Sequence, residues 1–190
     1  ALASRLPRLA NAAIGLPGIG PAVRSVAGID PRRHVPAFAA KTFRSWFATE
    51  HRPAPGDPVL LFVDTFTNYF TPEVGIATVR VLEAAGYAPA LTERQNCCAL
   101  TWISTGQLDA ARKILGRTVA QLAGATGGGT PIVGMEPSCT AVFRSDATEL
   151  LGATAAAVQV SDRVRTLAEL LTERGWQPPD LTSASIVAQP

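Results

Sequence analysis

The segment 59–63, Val-Leu-Leu-Phe-Val, is a short apolar run without a charged or polar side chain. Such a run is typical of a strand buried on both faces of a parallel sheet, because helices then cover the strand from either side. Two further apolar runs, 88–91 and 132–135, have the same character. The sequence therefore predicts three strands, of which the first is buried on both faces.

In the segments between these strands, the apolar residues have helical spacing. This spacing predicts helices over 72–85 and over 105–123, and Gly86 ends the first of them. Alternation of strand and helix implies right-handed βαβ units. The prediction is an α/β fold, a three-layer, Rossmann-like arrangement with a parallel βαβ sheet and an N-terminal helical connector.

The chain divides into two regions, a helical connector at 1–57 and an α/β domain at 58–190. Within the connector, apolar spacing predicts helices at 1–14 and 22–27. Three prolines and one glycine within 52–58 predict a linker that enters the α/β domain.

The remaining predictions complete the α/β domain. The segment 64–70 is interpreted as the loop after the first strand, and 136–144 as a helix that opens on Glu-Pro-Ser-Cys. Apolar spacing predicts an amphipathic helix over 161–174, which Gly175 ends. The segment 185–188 is interpreted as a further strand.

All three cysteines of the chain follow predicted strands: Cys97 and Cys98 the second, and Cys139 the third. Loops after parallel strands lie at one edge of the sheet, where open α/β sheets place their sites, so we expect these thiols to meet Thr65 of the first loop there. Adjacent cysteines are poorly placed to bond to each other, because a disulfide needs Cβ vectors that face one another. The arrangement favours a metal ion or an iron–sulfur centre.

Composition narrows the class of protein. An odd number of cysteines argues against a secreted disulfide framework and favours the reducing cytoplasm. With 47% hydrophobic and 17% charged residues the chain is globular, and a net charge of +2 without a basic stripe gives no indication of a nucleic-acid partner.

The segment 9–23 carries no charge. It is too short to span a bilayer, and two prolines interrupt it. We expect it to dock on a neighbouring domain, and a peripheral contact with the inner face of a membrane stays open as the alternative.

Three motifs together resemble a known family. The segment 64–70 (Asp-Thr-Phe-Thr-Asn-Tyr-Phe), the segment 97–99 (Cys-Cys-Ala) and the segment 136–139 (Glu-Pro-Ser-Cys) are similar to the cysteine-rich CCG domain. That domain occurs in heterodisulfide reductase and in the iron–sulfur parts of FAD-linked glycolate, D-lactate and glycerol-3-phosphate dehydrogenases. The likeness covers about 57–150 well and the rest more loosely.

The resemblance implies an electron-transfer module of a flavin-dependent 2-hydroxyacid oxidoreductase. Cys97, Cys98 and Cys139 would bind an iron–sulfur cluster of the 4Fe-4S kind as its metal ligands, and FAD would sit in another domain. The implied partners are the flavin domain and a second cysteine-rich repeat of the same enzyme, with a membrane or quinone contact left open. No catalytic residue is assigned, and the piece alone is not expected to be active.

The sequence departs from the family pattern at three positions. Thr65 stands where the first cysteine would be, Ala99 replaces the glycine of the Cys-Cys-Gly motif, and Glu136 replaces the first cysteine of Cys-x-x-Cys. The chain thus resembles a first, partly degenerate repeat, and the second repeat is expected beyond Pro190.

Other interpretations stay open at this point. The chain could be a non-redox packing domain that has lost its cluster, with three buried, inert cysteines. A zinc site of three cysteines and one carboxylate is a further option. Asp64, Thr67 and Asn68 could hydrogen-bond cluster sulfides, or they could shape the loop and cap the helix that begins near residue 72. Trp102 could shield a cluster or pack in the core.

Overall fold

One parallel sheet forms the centre of the protein. The structure, a computed structural model, describes residues 6–16, 19–26, 28–30 and 32–180. Within them four strands pair in the order β2-β1-β3-β4, and every pairing is parallel. The strands are β1 (Asp57–Phe62), β2 (Tyr87–Leu91), β3 (Ile132–Gly134) and β4 (Val164–Thr166). The predicted α/β class with a parallel sheet is confirmed.

Helices cover this sheet, and in the described part of the chain three helices precede β1. The helices are α1 (Pro7–Gly15), α2 (Ile19–Val26), α3 (Phe43–Thr49), α4 (Thr65–Tyr69), α5 (Pro72–Ala84), α6 (Leu100–Ser104), α7 (Leu108–Ala125), α8 (Pro137–Ala141), α9 (Ala147–Leu151), α10 (Ala155–Arg163) and α11 (Leu167–Glu173). A 3₁₀ turn spans Gly127–Gly129, and a π-helical segment, Val142–Asp146, joins α8 to α9.

The sheet separates two hydrophobic cores, as the alternation of side chains along a strand requires. Leu60 and Phe62 of β1 face the core that α7 and α10 cover, and Val59 and Leu61 face the core that α5 and α11 cover. Phe43 of α3 is completely buried in the second core. The predicted three layers are therefore present.

The predicted loop at 64–70 is wrong, because α4 occupies it. Oδ1 of Asp64 accepts hydrogen bonds from the backbone N–H groups of Phe66 (2.8 Å) and Thr67 (3.0 Å), and Oδ2 accepts one from the Thr67 hydroxyl (2.5 Å). An aspartate at this position satisfies N–H groups that would otherwise lack partners at the helix start.

The predicted helix over 161–174 is also wrong, because β4 divides it. Thr166 ends the strand and caps α11 in a capping box with Glu169, in which each side chain bonds the other residue's backbone N–H. The box restarts a helix directly after three residues of extended backbone, which a period of 3.6 residues does not reveal.

The remaining predicted helices differ less from the observed ones. The helix expected over 105–123 is α7, which begins three residues later and ends two residues later, and a short helix that was not expected, α6, precedes it. The helix expected over 136–144 continues through the π-helical segment to the end of α9. The helix expected at 22–27 is α2, and the one expected at 1–14 is α1, whose first predicted residues lie outside the described ones. The strand predicted at 185–188 lies outside them as well.

The N-terminal helices are tied to the sheet domain by backbone contacts. The Asn11 side chain exchanges two hydrogen bonds of 2.8 Å with the backbone of Phe38, and the N–H of Ala39 donates to the carbonyl of Tyr69. None of the described helices combines the length and the apolar character needed to cross a bilayer. The domain boundary at residues 57 and 58 stays a prediction.

Candidate functional site

The carboxyl ends of three neighbouring strands open on one cavity of about 410 Å³, here called the cysteine pocket. Its wall is largely apolar, and each of the loops after β1, β2 and β3 contributes to it. The lining residues are Phe62, Asp64, Thr65, Phe66, Asn96, Cys97, Cys98, Leu100, Thr101, Trp102, Glu136, Ser138 and Cys139. The parallel topology thus brings the three motifs of the sequence to one place.

All three cysteines line this pocket, and all are free thiols. The Sγ atoms of Cys98 and Cys139 lie 2.8 Å apart, and these residues are 5% and 7% exposed. Cys97 is half-buried beside them. The expected convergence is present, whereas the role of the three as ligands stays a prediction.

A left-handed turn aims the cysteine pair. Ala99 has φ 66°, the one positive φ among the described residues other than glycine, and it is completely buried. Its N–H faces the sulfur of Cys97 at 3.4 Å, and the carbonyl of Cys97 accepts a 2.8 Å hydrogen bond from the hydroxyl of Thr118 on α7. A Cβ atom in this backbone region costs about 1–2 kcal/mol, so the turn itself explains why a glycine suits this position.

Cys139 is positioned by the start of α8. Glu136 caps this helix, and its Oε2 accepts a 2.8 Å hydrogen bond from the N–H of Cys139 and another from the Ser138 hydroxyl. Partial burial raises the pKa of the Glu136 carboxyl, but these hydrogen bonds outweigh burial and hold that pKa below its usual value. Glu136 is therefore a charged residue on the pocket wall.

The thiols of Cys97 and Cys98 are poor acids in this arrangement. The neighbouring Cys98 side chain and then burial raise the pKa of Cys97 far above its usual range. The hydrogen bond with Cys139 raises the pKa of Cys98 to about 12. The thiol form of both residues therefore predominates at neutral pH.

The residue types on the wall of the cysteine pocket suit a metal or iron–sulfur centre, but the positions of their side chains in this structure do not. Three thiols and two carboxylates, those of Asp64 and Glu136, line a largely apolar cavity, and thiolates and carboxylates are ligands that such centres use. In the part of the chain that the structure describes, however, no group of three or more His, Cys, Asp or Glu side chains is arranged to hold a metal ion. The contact between Cys98 and Cys139 leaves no room for an ion between their sulfurs.

The polar residues at the start of α4 and within it have structural partners. Asp64 caps α4, and Asn68 accepts a 3.1 Å hydrogen bond from the N–H of Arg44 through Oδ1. Thr67 donates to Asp64 and does not line the pocket. These contacts favour a structural role for all three residues. The helix that Asp64 caps is α4, however, and not the helix that begins at Pro72, which has no side-chain cap.

Thr65 and Trp102 line the pocket, as the sequence suggested. The sequence interpretation missed the apolar part of the wall, formed by Phe62, Phe66 and Leu100. Phe66 is 63% exposed although it is aromatic, and it directly follows Thr65. The position of these residues at the end of β1 and after the cysteine pair was the available signal.

Comparison with known proteins confirms the resemblance. The model of the cysteine-rich domain family, CCG, matches residues 62–144. A subunit of the anaerobic glycerol-3-phosphate dehydrogenase of Escherichia coli strain K12 is 30% identical over 146 residues, which are 75% of this chain and 37% of that protein.

Two other relatives are shorter matches. A subunit of the fumarate reductase (CoM/CoB) of Methanothermobacter marburgensis is 31% identical over 110 residues, 54% of this chain and 22% of that protein. The lactate utilization protein A of Bacillus velezensis is 35% identical over 86 residues, 45% of this chain and 34% of that protein. This chain thus spans less than two fifths of each relative, and no solved structure shows significant similarity to it.

Proposed function

Because residues 62–144 belong to the cysteine-rich domain family, we propose that this chain is an electron-transfer, iron–sulfur module of a flavin-dependent 2-hydroxyacid oxidoreductase. The observation that carries the proposal is the meeting of Cys97, Cys98 and Cys139 on one largely apolar cavity. These residues would hold the cluster, and a bound cluster accepts and donates single electrons.

The pocket supplies most of a ligand set from this chain alone. Iron–sulfur clusters are usually held by four thiolates, and three stand on the wall of the pocket. Glu136 or Thr65 from the same wall, or a cysteine of a second repeat, would complete the set. Loading requires the contact between Cys98 and Cys139 to open, and it releases the thiol protons.

In this proposal the apolar side chains of the pocket wall shield the cluster from water. Phe66, Leu100 and Trp102 line the pocket together with the cysteines and limit the access of water. Burial of a cluster and the number of hydrogen bonds to its sulfurs set its reduction potential. These side chains therefore belong to the electron-transfer site even though they bind nothing covalently.

The wider context of the proposal comes from the relatives. Two of them are named for a glycerol-3-phosphate dehydrogenase and for lactate utilization. We propose that FAD in another domain would supply the hydride-accepting chemistry for the hydroxy acid, and that this module would pass the electrons on to an acceptor. The proposed partners are that flavin domain and a second cysteine-rich repeat, in the cytoplasm, with a quinone or the inner membrane face as a further contact.

A packing domain that has lost its cluster is the second candidate function. Two observations favour it: the close contact of Cys98 with Cys139, and the absence of a ready metal-binding group among the described residues. In this case the same fold would pack against the flavin domain without carrying electrons.

Anaerobic reconstitution with ferrous iron and sulfide separates the two candidates. The first predicts a brown protein with about four iron atoms per chain and a paramagnetic signal after reduction. Cys97→Ser, Cys98→Ser and Cys139→Ser should each lower the bound iron severalfold, whereas Ser104→Ala, an exposed change on α6 outside the pocket, should not. A colourless chain with three titratable thiols contradicts the first candidate and supports the second.

A further inference from the structure

Two thiols from separate segments of the chain, the loop after β2 and helix α8, touch in the cysteine pocket. We propose that Cys98 and Cys139 form a dithiol–disulfide couple, a two-electron redox site made of the polypeptide alone. This inference goes beyond the proposed function and does not depend on it, because the couple operates in the chain without a cluster.

The distance between the two sulfurs carries the proposal. Their Sγ atoms lie 2.8 Å apart, less than an ångström beyond the disulfide bond length of about 2.05 Å. The residues are 41 positions apart in sequence. Cys98 lies on the loop after β2, and Cys139 lies in α8, the helix that follows β3; β2 and β3 are the two neighbours of β1 in the sheet. A bond between them therefore joins two separate elements across the end of the central strand.

The backbone on both sides holds this contact in place. The carbonyl of Cys97 accepts from the Thr118 hydroxyl, and the buried left-handed Ala99 follows Cys98 directly. On the other side, Glu136 caps α8 through the N–H of Cys139. Closure of the bond thus needs a small movement of side chains and no rearrangement of the sheet.

Cys97 is the matched thiol that does not take part. It lines the same pocket and is more exposed than either member of the couple. Its neighbour in sequence is Cys98, and adjacent cysteines are poorly placed to bond because their Cβ vectors diverge. The chain therefore also contains a thiol with the same chemistry and greater access, whose neighbouring thiol, Cys98, belongs to the adjacent residue and is poorly placed to bond to it.

The reaction is thiol–disulfide exchange with a low-molecular-weight disulfide. One member of the couple loses its proton and attacks a sulfur of the oxidant, which releases one small thiol and leaves a mixed disulfide. The other member then loses its proton and attacks the protein sulfur of that mixed disulfide, which releases the second small thiol. Two electrons and two protons have passed to the oxidant, and a dithiol reverses the reaction.

Oxidation of the couple has a consequence for the pocket. It removes two of the three thiols that could bind a metal, because a disulfide sulfur is no longer a thiolate donor. The oxidised chain should therefore take up no iron until a dithiol reduces it, whatever the reduced chain binds.

The test uses the metal-free chain, equilibrated without oxygen in mixtures of reduced and oxidised glutathione. Acid quenching, alkylation and mass spectrometry then count the free thiols. We expect the count to fall from three to one in a single two-electron transition, with one alkylated cysteine left. Trypsin separates residues 95–112, which hold Cys97 and Cys98, from residues 118–144, which hold Cys139, so the bond appears as a link between these two peptides.

Cys97→Ser is the decisive control. It should keep the link between the peptides and leave no thiol in the oxidised state, whereas Cys98→Ser and Cys139→Ser should lose the link. Three free thiols at every glutathione ratio, stable glutathione adducts in place of the link, or loss of the link in Cys97→Ser would each overturn the proposal. The number of free thiols in the parent chain tests the proposal even if a serine variant fails to fold.

Discussion

The hydroxyl of Thr140 occupies the space that a side chain on Gly134 would need. Gly134 ends β3, and Thr140, which is almost completely buried, directly follows Cys139 in α8. The close approach of strand and helix places Cys139 at the pocket, so the glycine belongs to the architecture of the site although it contacts no thiol.

Gly134→Ala should therefore destabilise the protein by about 1–3 kcal/mol, the usual cost of overpacking a core. Urea unfolding measures the change. Gly116→Ala on α7 is the matched control, because a Cβ there meets only a side-chain carbon of Leu151 at 3.7 Å. The control should be neutral or stabilising by up to about 1 kcal/mol, since alanine favours helices. Equal effects of the two substitutions would contradict the packing argument.

The second prediction concerns the turn after the cysteine pair. Ala99→Val should destabilise the chain by more than about 2 kcal/mol, because a β-branched side chain is strained at φ 66° and Ala99 has no exposed surface to expand into. Ala99→Gly should stay within about 1 kcal/mol of the parent, as relief of strain offsets the lost methyl group. Thermal unfolding of both variants checks the order, and a tolerated valine would mean that the turn is not left-handed in solution.

The third prediction tests the cap of α4. Asp64→Ala should cost about 0.5–2 kcal/mol through loss of the cap, and it also leaves the buried Thr67 hydroxyl without its acceptor. Asp64→Asn keeps an oxygen for the N–H groups of Phe66 and Thr67 and should cost less. If the asparagine variant bound as much iron as the parent and the alanine variant bound less, Asp64 would affect iron binding by positioning α4 and not by its charge.

The sequence predicted the centre of the fold because its signals are local and strong. The apolar run of β1 and the amphipathic pattern of α5 each indicate one structure, and parallel topology follows from their alternation. β4 was missed because its three residues continue the helical spacing of their neighbours. The pair Thr166 and Glu169, a capping box, was the signal that a new helix begins there.

The sequence predicted which residues form the site, but it did not predict the distances between their sulfur atoms. Topology alone brings Cys97, Cys98 and Cys139 to one edge of the sheet. Which two sulfurs touch depends on the left-handed Ala99 and on the direction of α8, and neither is encoded in the spacing of the cysteines. Tertiary packing therefore decides the chemistry within a site whose residues the sequence already identifies.

The fourth prediction is a pH dependence of stability. The Arg144 guanidinium, which pairs with Glu169, and the backbone N–H of Thr166 lower the pKa of the Glu169 carboxyl to about 2 in the folded protein, against 4.5 as its ordinary value. Because the folded pKa is the lower one, the stabilisation is complete above pH 4.5 and is lost as the pH falls toward 2.

Glu169→Gln isolates this contribution, since glutamine still serves as the partner of Thr166 in a capping box but does not titrate. The difference in unfolding free energy between the parent and the variant should shrink between pH 5 and pH 2, because all other carboxyls titrate in both proteins. A difference that stays constant over this range would show that the ion pair of Arg144 and Glu169 does not stabilise the folded state.

The fifth prediction asks whether Thr65 occupies a ligand position. Thr65 lies on the wall of the cysteine pocket at the start of α4, in the segment that follows β1, whereas the cysteines follow β2 and β3. Thr65→Cys would raise the number of thiols on this wall to four, the usual complement of an iron–sulfur cluster. After anaerobic reconstitution the variant should hold more iron per chain than the parent, and Cys98→Ser on top should remove the gain.

Thr105→Cys is the matched control for this experiment, because it adds a thiol at the end of α6 outside the pocket. It should leave the bound iron unchanged, so any gain that Thr65→Cys alone produces belongs to its position and not to one more cysteine. Equal iron in the parent and in Thr65→Cys would mean that Thr65 only shapes the first turn of α4. The family likeness through residues 64–70 would then concern the fold of that segment and not a ligand.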